Sequence, residues 1–195
     1  NKIELPKTIF AHGFFTVDGQ KMSKTLGNII DPATLIKEYG SDATRYLLIS
    51  SFSFGNDGDI SLDKFEEKYN ADLANGLGNL ASRILKMAET YGVSPKLPEK
   101  TENLLGDFME NYKINEAIDG IWNEISEVDK YIQEKKPFTL IKTDEAEAKK
   151  IIGELVLKLW NIAVALEIFL PETAEKLQKM IKENRMPEQP LFPRK

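Results

Sequence analysis

The stretch Ser61-Leu-Asp-Lys-Phe-Glu-Glu-Lys-Tyr-Asn-Ala-Asp-Leu-Ala-Asn-Gly-Leu-Gly-Asn-Leu-Ala-Ser-Arg-Ile-Leu-Lys-Met87 decides the fold class. Within it Leu62, Phe65, Tyr69, Leu73, Leu77, Leu80, Ile84 and Met87 recur at steps of three or four. That spacing places one apolar stripe along one long helix. Gly92 and Pro95 close it. Downstream, a short helix is predicted around Glu102–Glu110. Ile114, Ile118, Ile121, Ile125, Val128 and Ile132 mark another amphipathic helix, ended by Pro137. A further one runs from Ala148 to about Leu170 and stops at Pro171; a last one spans Pro171–Lys182. Trp122 and Trp160 fall within apolar stripes and are read as core. The tail Met186–Lys195 carries three prolines and is expected to run extended over the surface. Four or five antiparallel helices joined by short connections predict an α-helical bundle over 61–195.

Residues 1–60 have another texture. They hold Gly13, Gly19, Gly27, Gly40, Gly55 and Gly58, half of the twelve glycines. Thr8–Val17 is rich in β-branched and aromatic residues and predicts a strand. Asp18-Gly19 is a turn signal after it, and a polar loop follows to about Asn28. Asp31-Pro32 reads as a helix N-cap with proline at the first helical position, and Gly40 as its stop. Ser41 is predicted to cap a second helix through Leu48. Gly55–Asp59 reads as a turn-rich linker. The fold class is therefore mainly α: a short α/β segment in 1–60, then the helical bundle.

Composition removes several function classes. The chain has 195 residues, 26 basic and 31 acidic, for a net charge of −5. That balance excludes a wrapper of nucleic acid held by bulk charge, but not a reader that uses a few placed residues. There is no cysteine, so disulfides, cysteine nucleophiles and cysteine metal sites are excluded. His12 is the single histidine, which excludes a multi-histidine metal site; no metal site is expected here. No stretch is apolar enough to span a bilayer, and the first residues lack the core of a signal peptide. A reducing, cytoplasmic setting is expected. The chain does not begin with methionine, so a fragment or processed piece is expected.

The chemistry concentrates in Gly19-Gln-Lys21-Met22-Ser23-Lys24-Thr25-Leu26-Gly27-Asn28. Two lysines lie three apart, with hydroxyls at Ser23 and Thr25 and glycines on both flanks. Ammonium groups are compact point charges suited to phosphate oxygens. Glycines let the loop hinge and bring backbone N–H groups to an anion. As bare composition the stretch favours a solvated surface loop over a phosphate grip.

Its order (strand, Asp-Gly turn, Lys-Met-Ser-Lys, Leu-Gly-Asn, then a capped Asp-Pro helix) resembles the signature KMSKS loop of class I aminoacyl-tRNA synthetases, with Thr25 in place of the final serine. Three further stretches resemble the methionyl-tRNA synthetase family. They are Ala11–Lys24, Phe54-Gly-Asn-Asp-Gly-Asp-Ile-Ser61 and Tyr69–Arg83, the last resembling the opening helix of its anticodon-binding bundle. The resemblance implies the C-terminal part of an enzyme that activates methionine with ATP, Mg2+ accompanying it, and transfers it to tRNA(Met). Lys21 and Lys24 would hold the triphosphate as the carboxylate attacks the α-phosphorus. Ser23 and His12 would line the same ATP site. Asn79 and Arg83, four apart on one helix face, would read the CAU anticodon, within a polar stripe that includes Asn75 and Ser82. Phe138, after Pro137, stands where the family carries a stacking tryptophan; its other reading is a core anchor. No HIGH motif occurs, so the methionine pocket would lie outside this chain, which is expected to be inactive alone. No dimerisation segment follows residue 195, and a monomer is expected. The alternative is a free-standing tRNA-binding subunit acting with a separate catalytic chain. Sibling synthetases for leucine, isoleucine or valine are the nearest confusion.

Overall fold

A computed structural model describes residues 4–53 and 55–195. The elements run β1 (Phe15–Val17), β2 (Gln20–Lys21), α1 (Pro32–Tyr39), α2 (Ser41–Ser50), β3 (Gly58–Ile60), α3 (Leu62–Lys68), a widened π-type segment (Tyr69–Gly78), α4 (Asn79–Tyr91), α5 (Ile114–Lys135), α6 (Pro137–Leu140), α7 (Glu145–Ala165), a 3-10 turn (Leu166–Ile168) and α8 (Pro171–Glu183). The chain is mainly helical with one small sheet.

The sheet order is β2-β1-β3. β1 and β2 form a hairpin, Val17 opposite Gln20. Asp18 and Gly19 both take positive φ, 51° and 71°, as a two-residue turn that follows strand twist requires. β3 joins β1 in parallel, Thr16 opposite Asp59. The last two residues of the linker predicted over Gly55–Asp59 are therefore strand. Its partner lies 43 residues upstream, so no local pattern exposes it: the Phe14 N–H donates to Asp57 Oδ1 at 2.7 Å, and the Gly58 N–H to the Phe14 carbonyl at 2.9 Å. Gly13 lies against this connection. A Cβ there would sit 2.1 Å from the Asn56 carbonyl oxygen, so only glycine permits the approach. The predicted strand shortens to its last three residues, and of the Phe54–Ser61 stretch Phe54 lies outside the described residues.

α1 forms as predicted: the Asp31 side chain accepts the Ala33 N–H at 3.1 Å and Gly40 ends the helix at φ 84°. Ser41 is not a cap. It is the first residue of α2, and no side chain caps that helix. The helix predicted at Glu102–Glu110 is absent, and the segment is a series of turns. Gly106 and Tyr112, at φ 53° and 57°, take left-handed conformations that an α-helix cannot include.

The long stripe survives, with a change of winding. Phe65, Tyr69, Leu73, Leu77 and Ala81 are each at most 2% exposed. Consecutive steps of four drift about 40° each around a 3.6-residue helix, about 160° over that run. The widened turns at Tyr69–Gly78 undo the drift and keep the stripe on the core. The Asn79 N–H reaches back to the Ala74 carbonyl, five residues earlier. Leu62, included in the predicted stripe, is instead 51% exposed.

α7 is the hub, contacting α4, α5, α6 and α8. Ile151, Ile152, Leu155, Val156, Leu159 and Ile162 are all buried; adjacent pairs facing different neighbours make a helix buried on more than one side. Trp160 is buried, as predicted. Trp122 is only half-buried and stacks on Tyr46, ring centroids 4.3 Å apart. α2 belongs to the same core through Tyr46 and Leu47. It also grips the reversal between the 3-10 turn and α8. Arg45 donates to the carbonyls of Phe169 and Ile168 at 3.2 and 3.0 Å, and Asp42 accepts the Thr173 N–H at 2.6 Å. The tail runs over the surface but is anchored by Phe192, 7% exposed, against Tyr69.

Candidate functional site

The lysine loop leaves β2 and is held by its own side chains. The Ser23 N–H donates to Asn28 Oδ1 at 2.8 Å, and Asn28 Nδ2 donates to the Lys21 carbonyl at 3.3 Å. One asparagine amide thus closes the loop from both ends. Inside it, the Thr25 N–H donates to Ser23 Oγ at 3.2 Å and the Gly27 N–H to the Lys24 carbonyl at 3.3 Å. Gly27, at φ 67°, supplies the left-handed position of that turn. Lys21 and Lys24 are both exposed. The Lys21 ammonium lies 5.4 Å from the centre of the Phe14 ring, in the range of a cation–π contact. The hairpin beneath is tied to β3 by Asp59, whose Oδ1 accepts from the Gly19 N–H at 2.7 Å and from Thr16 Oγ1 at 2.8 Å. These two bonds, the Gly19 amide first, hold its carboxyl below the usual aspartate range.

His12 is not a buried strand histidine. It is exposed, its Nδ1 is 2.8 Å from the Gly13 carbonyl oxygen, and it lines a cavity of about 190 Å³ with Phe15, Leu48, Ile49 and Phe52. Neither lysine lines that cavity. Among the described residues no group of three or more histidine or acidic side chains is placed to hold a metal ion, and no helix is long and apolar enough to cross a membrane.

The second cluster lies on α4. Asn79 is its first residue and is exposed; Arg83 lies one turn on and is half-buried. Arg83 pairs with Asp129 of α5, which fixes the direction of the guanidinium. α6 brings Phe138 to the same place. Lys136 turns the chain with a left-handed φ of 44°, Pro137 starts the short helix and is buried, and Phe138 is left 44% exposed. A side chain that exposed is not a core anchor. Arg83 and Phe138 line one cavity of about 280 Å³ with Lys86, Met87, Thr90 and Tyr91. It offers aromatic faces, the Lys86 ammonium and the Asp129-paired Arg83 guanidinium, and none of its lining residues is acidic. Such a surface can stack a planar base and bond to its edge.

The sequence pointed to the residues of both clusters but not to the side chains that support them. Asn28 and Asp59 lie inside the quoted motifs but are given no role there, and Asp129 lies outside every motif. Each acts across a distance of sequence or through a backbone group.

Residues 1–85 match the family described as tRNA synthetases class I (M). The chain is 40% identical to the methionine–tRNA ligase of Clostridium acetobutylicum over 92% of this chain and 30% of that protein. It is 36% identical to that of Thermotoga maritima over 92% of this chain and 31% of that one. Among solved structures, Mycobacterium tuberculosis methionyl-tRNA synthetase in complex with methionyl-adenylate superposes with a TM-score of 0.78 at 30% identity, covering 98% of this chain and 45% of that one. The chain spans about a third of the length of the curated relatives it matches.

Proposed function

The chain is related to methionyl-tRNA synthetases over nearly all of its length, and from that premise we propose that it is the C-terminal part of a methionine–tRNA ligase. In this reading residues 1–60 end the catalytic region and 61–195 form the anticodon-binding bundle. The enzyme joins a methionine carboxylate oxygen to the α-phosphorus of ATP, with loss of pyrophosphate, and then passes the methionyl group to tRNA(Met). The ammonium groups of Lys21 and Lys24 hold the triphosphate and follow the charge that develops on the leaving pyrophosphate. Ser23 offers a hydroxyl to the same phosphates; the ATP-site role of His12 rests on the family resemblance alone, because its cavity is lined by neither lysine. Mg2+ would enter with the ATP phosphates and offset their charge. The Asn28 clamp fixes where the loop begins and ends while leaving both lysines in solvent, an arrangement suited to closing on a bound nucleotide.

One observation carries the reading of the bundle. Arg83 and Phe138 come from different helices and meet at one cavity free of acidic side chains. Asn79, one turn before Arg83, extends the polar edge. Phe138 stacks on an anticodon base and Asn79 and Arg83 bond to base edges. The test is a titration of tRNA(Met) against a matched tRNA with one altered anticodon base, at fixed low salt. Preference for CAU supports the reading, and Asn79→Ala or Arg83→Ala then abolishes it. Equal affinity for both tRNAs, in the full-length protein, overturns it.

A further inference from the structure

A second cavity, of about 420 Å³, opens between the C-terminal tail and the junction of the π-type segment with α4. Asn75, Asn79 and Ser82 line one wall; Pro190, Pro193 and Arg194 line the other. In a chain with 31 acidic residues, none of its lining residues is acidic. It shares the face of α4 with the Arg83–Phe138 cavity. Asn79 and Ser82 face the tail, while Arg83, Lys86 and Thr90 face the aromatic side. From Asn79 to Thr90 the face is roughly 16 Å long.

Arg194 is held in place there. Its Nε and Nη2 both donate to Asn75 Oδ1, at 3.1 and 2.6 Å. The tail behind it is fixed on both sides. Phe192 is buried against Tyr69, and Lys195 exchanges two hydrogen bonds with the Asn70 side chain, at 3.0 and 3.1 Å. A guanidinium oriented by an amide, with two prolines stiffening its strand, costs little entropy to bind.

We propose that this cavity seats a backbone phosphate of a single-stranded RNA segment, with Arg194 as its charged contact. The inference rests on the functional reading above. Bases splayed toward Asn79 and Arg83 leave their sugar-phosphate strand beside α4, and most protein–nucleic acid hydrogen bonds go to that strand. A planar fork matches a phosphate in two bonds. The contact carries affinity and register; it carries no sequence information.

The test uses the full-length protein and CAU-bearing tRNA(Met), titrated from about 50 to 300 mM salt. Arg194→Gln keeps hydrogen bonding but removes the charge. It is expected to weaken binding about fivefold at low salt and to make the salt slope shallower by about 0.7. The preference for CAU stays unchanged. Arg194→Lys keeps the wild-type slope. Weaker binding at an unchanged slope would mean that Arg194 only anchors the tail, and would overturn the inference. So would unchanged affinity in Arg194→Gln while Arg83→Ala still loses the CAU preference. If Arg83→Ala keeps that preference, the functional reading fails first and this inference with it.

Discussion

The Asp59 carboxylate accepts the backbone N–H of Gly19 at 2.7 Å, so the third strand holds the turn of the hairpin from which the lysine loop emerges. Gly19 is at φ 71° and Thr16 adds a second bond to the same oxygen. The loop's position thus depends on a residue 40 positions downstream of the turn. Asp59→Asn is expected to raise amide exchange at Gly19 and to lower ATP affinity in the full-length enzyme through a mobile Lys21–Lys24 segment. Unchanged protection at Gly19 would refute the tie.

The same carboxylate sets a pH dependence. Its native pKa lies below the unfolded value, so its contribution is complete above the ordinary aspartate range. It is lost as pH falls through the depressed native pKa. Hairpin protection should therefore persist as pH falls through the ordinary aspartate range and fail at more acid values. In Asp59→Asn that acid-dependent loss at Gly19 should be absent. Hydrogen exchange across an acid series checks both.

Gly78 lies in the widened helix, and a Cβ added there would sit 3.0 Å from the Leu73 carbonyl oxygen. Helix propensity alone predicts that Gly78→Ala stabilises by about 1 kcal/mol. The close carbonyl reverses the sign: denaturant unfolding should show a loss of stability, because the wide turn must shift and Leu73 and Leu77 with it. A stabilised variant would mean that ordinary winding serves equally well.

Asp42 reaches from α2 to the first turn of α8, accepting the Thr173 N–H while only 6% exposed. Asp42→Ala leaves a buried helix-end N–H without its partner. The expected cost is about 1–2 kcal/mol in thermal or denaturant unfolding.

Phe138 is 44% exposed at the rim of the Arg83 cavity. Phe138→Ala should leave the unfolding midpoint nearly unchanged, since little core is lost. It should weaken tRNA(Met) binding by about 1–3 kcal/mol, the usual range for one stacked base. A matching loss of fold stability would instead make the side chain structural.

Several periodic or local signals determined the outcome, although the local cap at Ser41 and the helix at Glu102–Glu110 did not form. The isoleucine ladder of α5, the Asp31-Pro32 start and the Asp18-Gly19 turn each satisfy nearby backbone groups or present one face to a core. So each could be read from neighbours a few residues apart. The roles expected of the lysine loop and of Asn79 and Arg83 came from the family resemblance, since local pattern alone reads both as solvated polar surface. Only the tertiary structure decided that Gly58–Ile60 pairs with a strand 43 residues away, that Asn28 closes the loop, and that α6 delivers Phe138 to Arg83. It alone also decided that the tail lays Arg194 against Asn75. These are contacts between distant segments. Their energy comes from groups that meet once the core around α7 has fixed both backbones, and no pattern within either segment records the meeting.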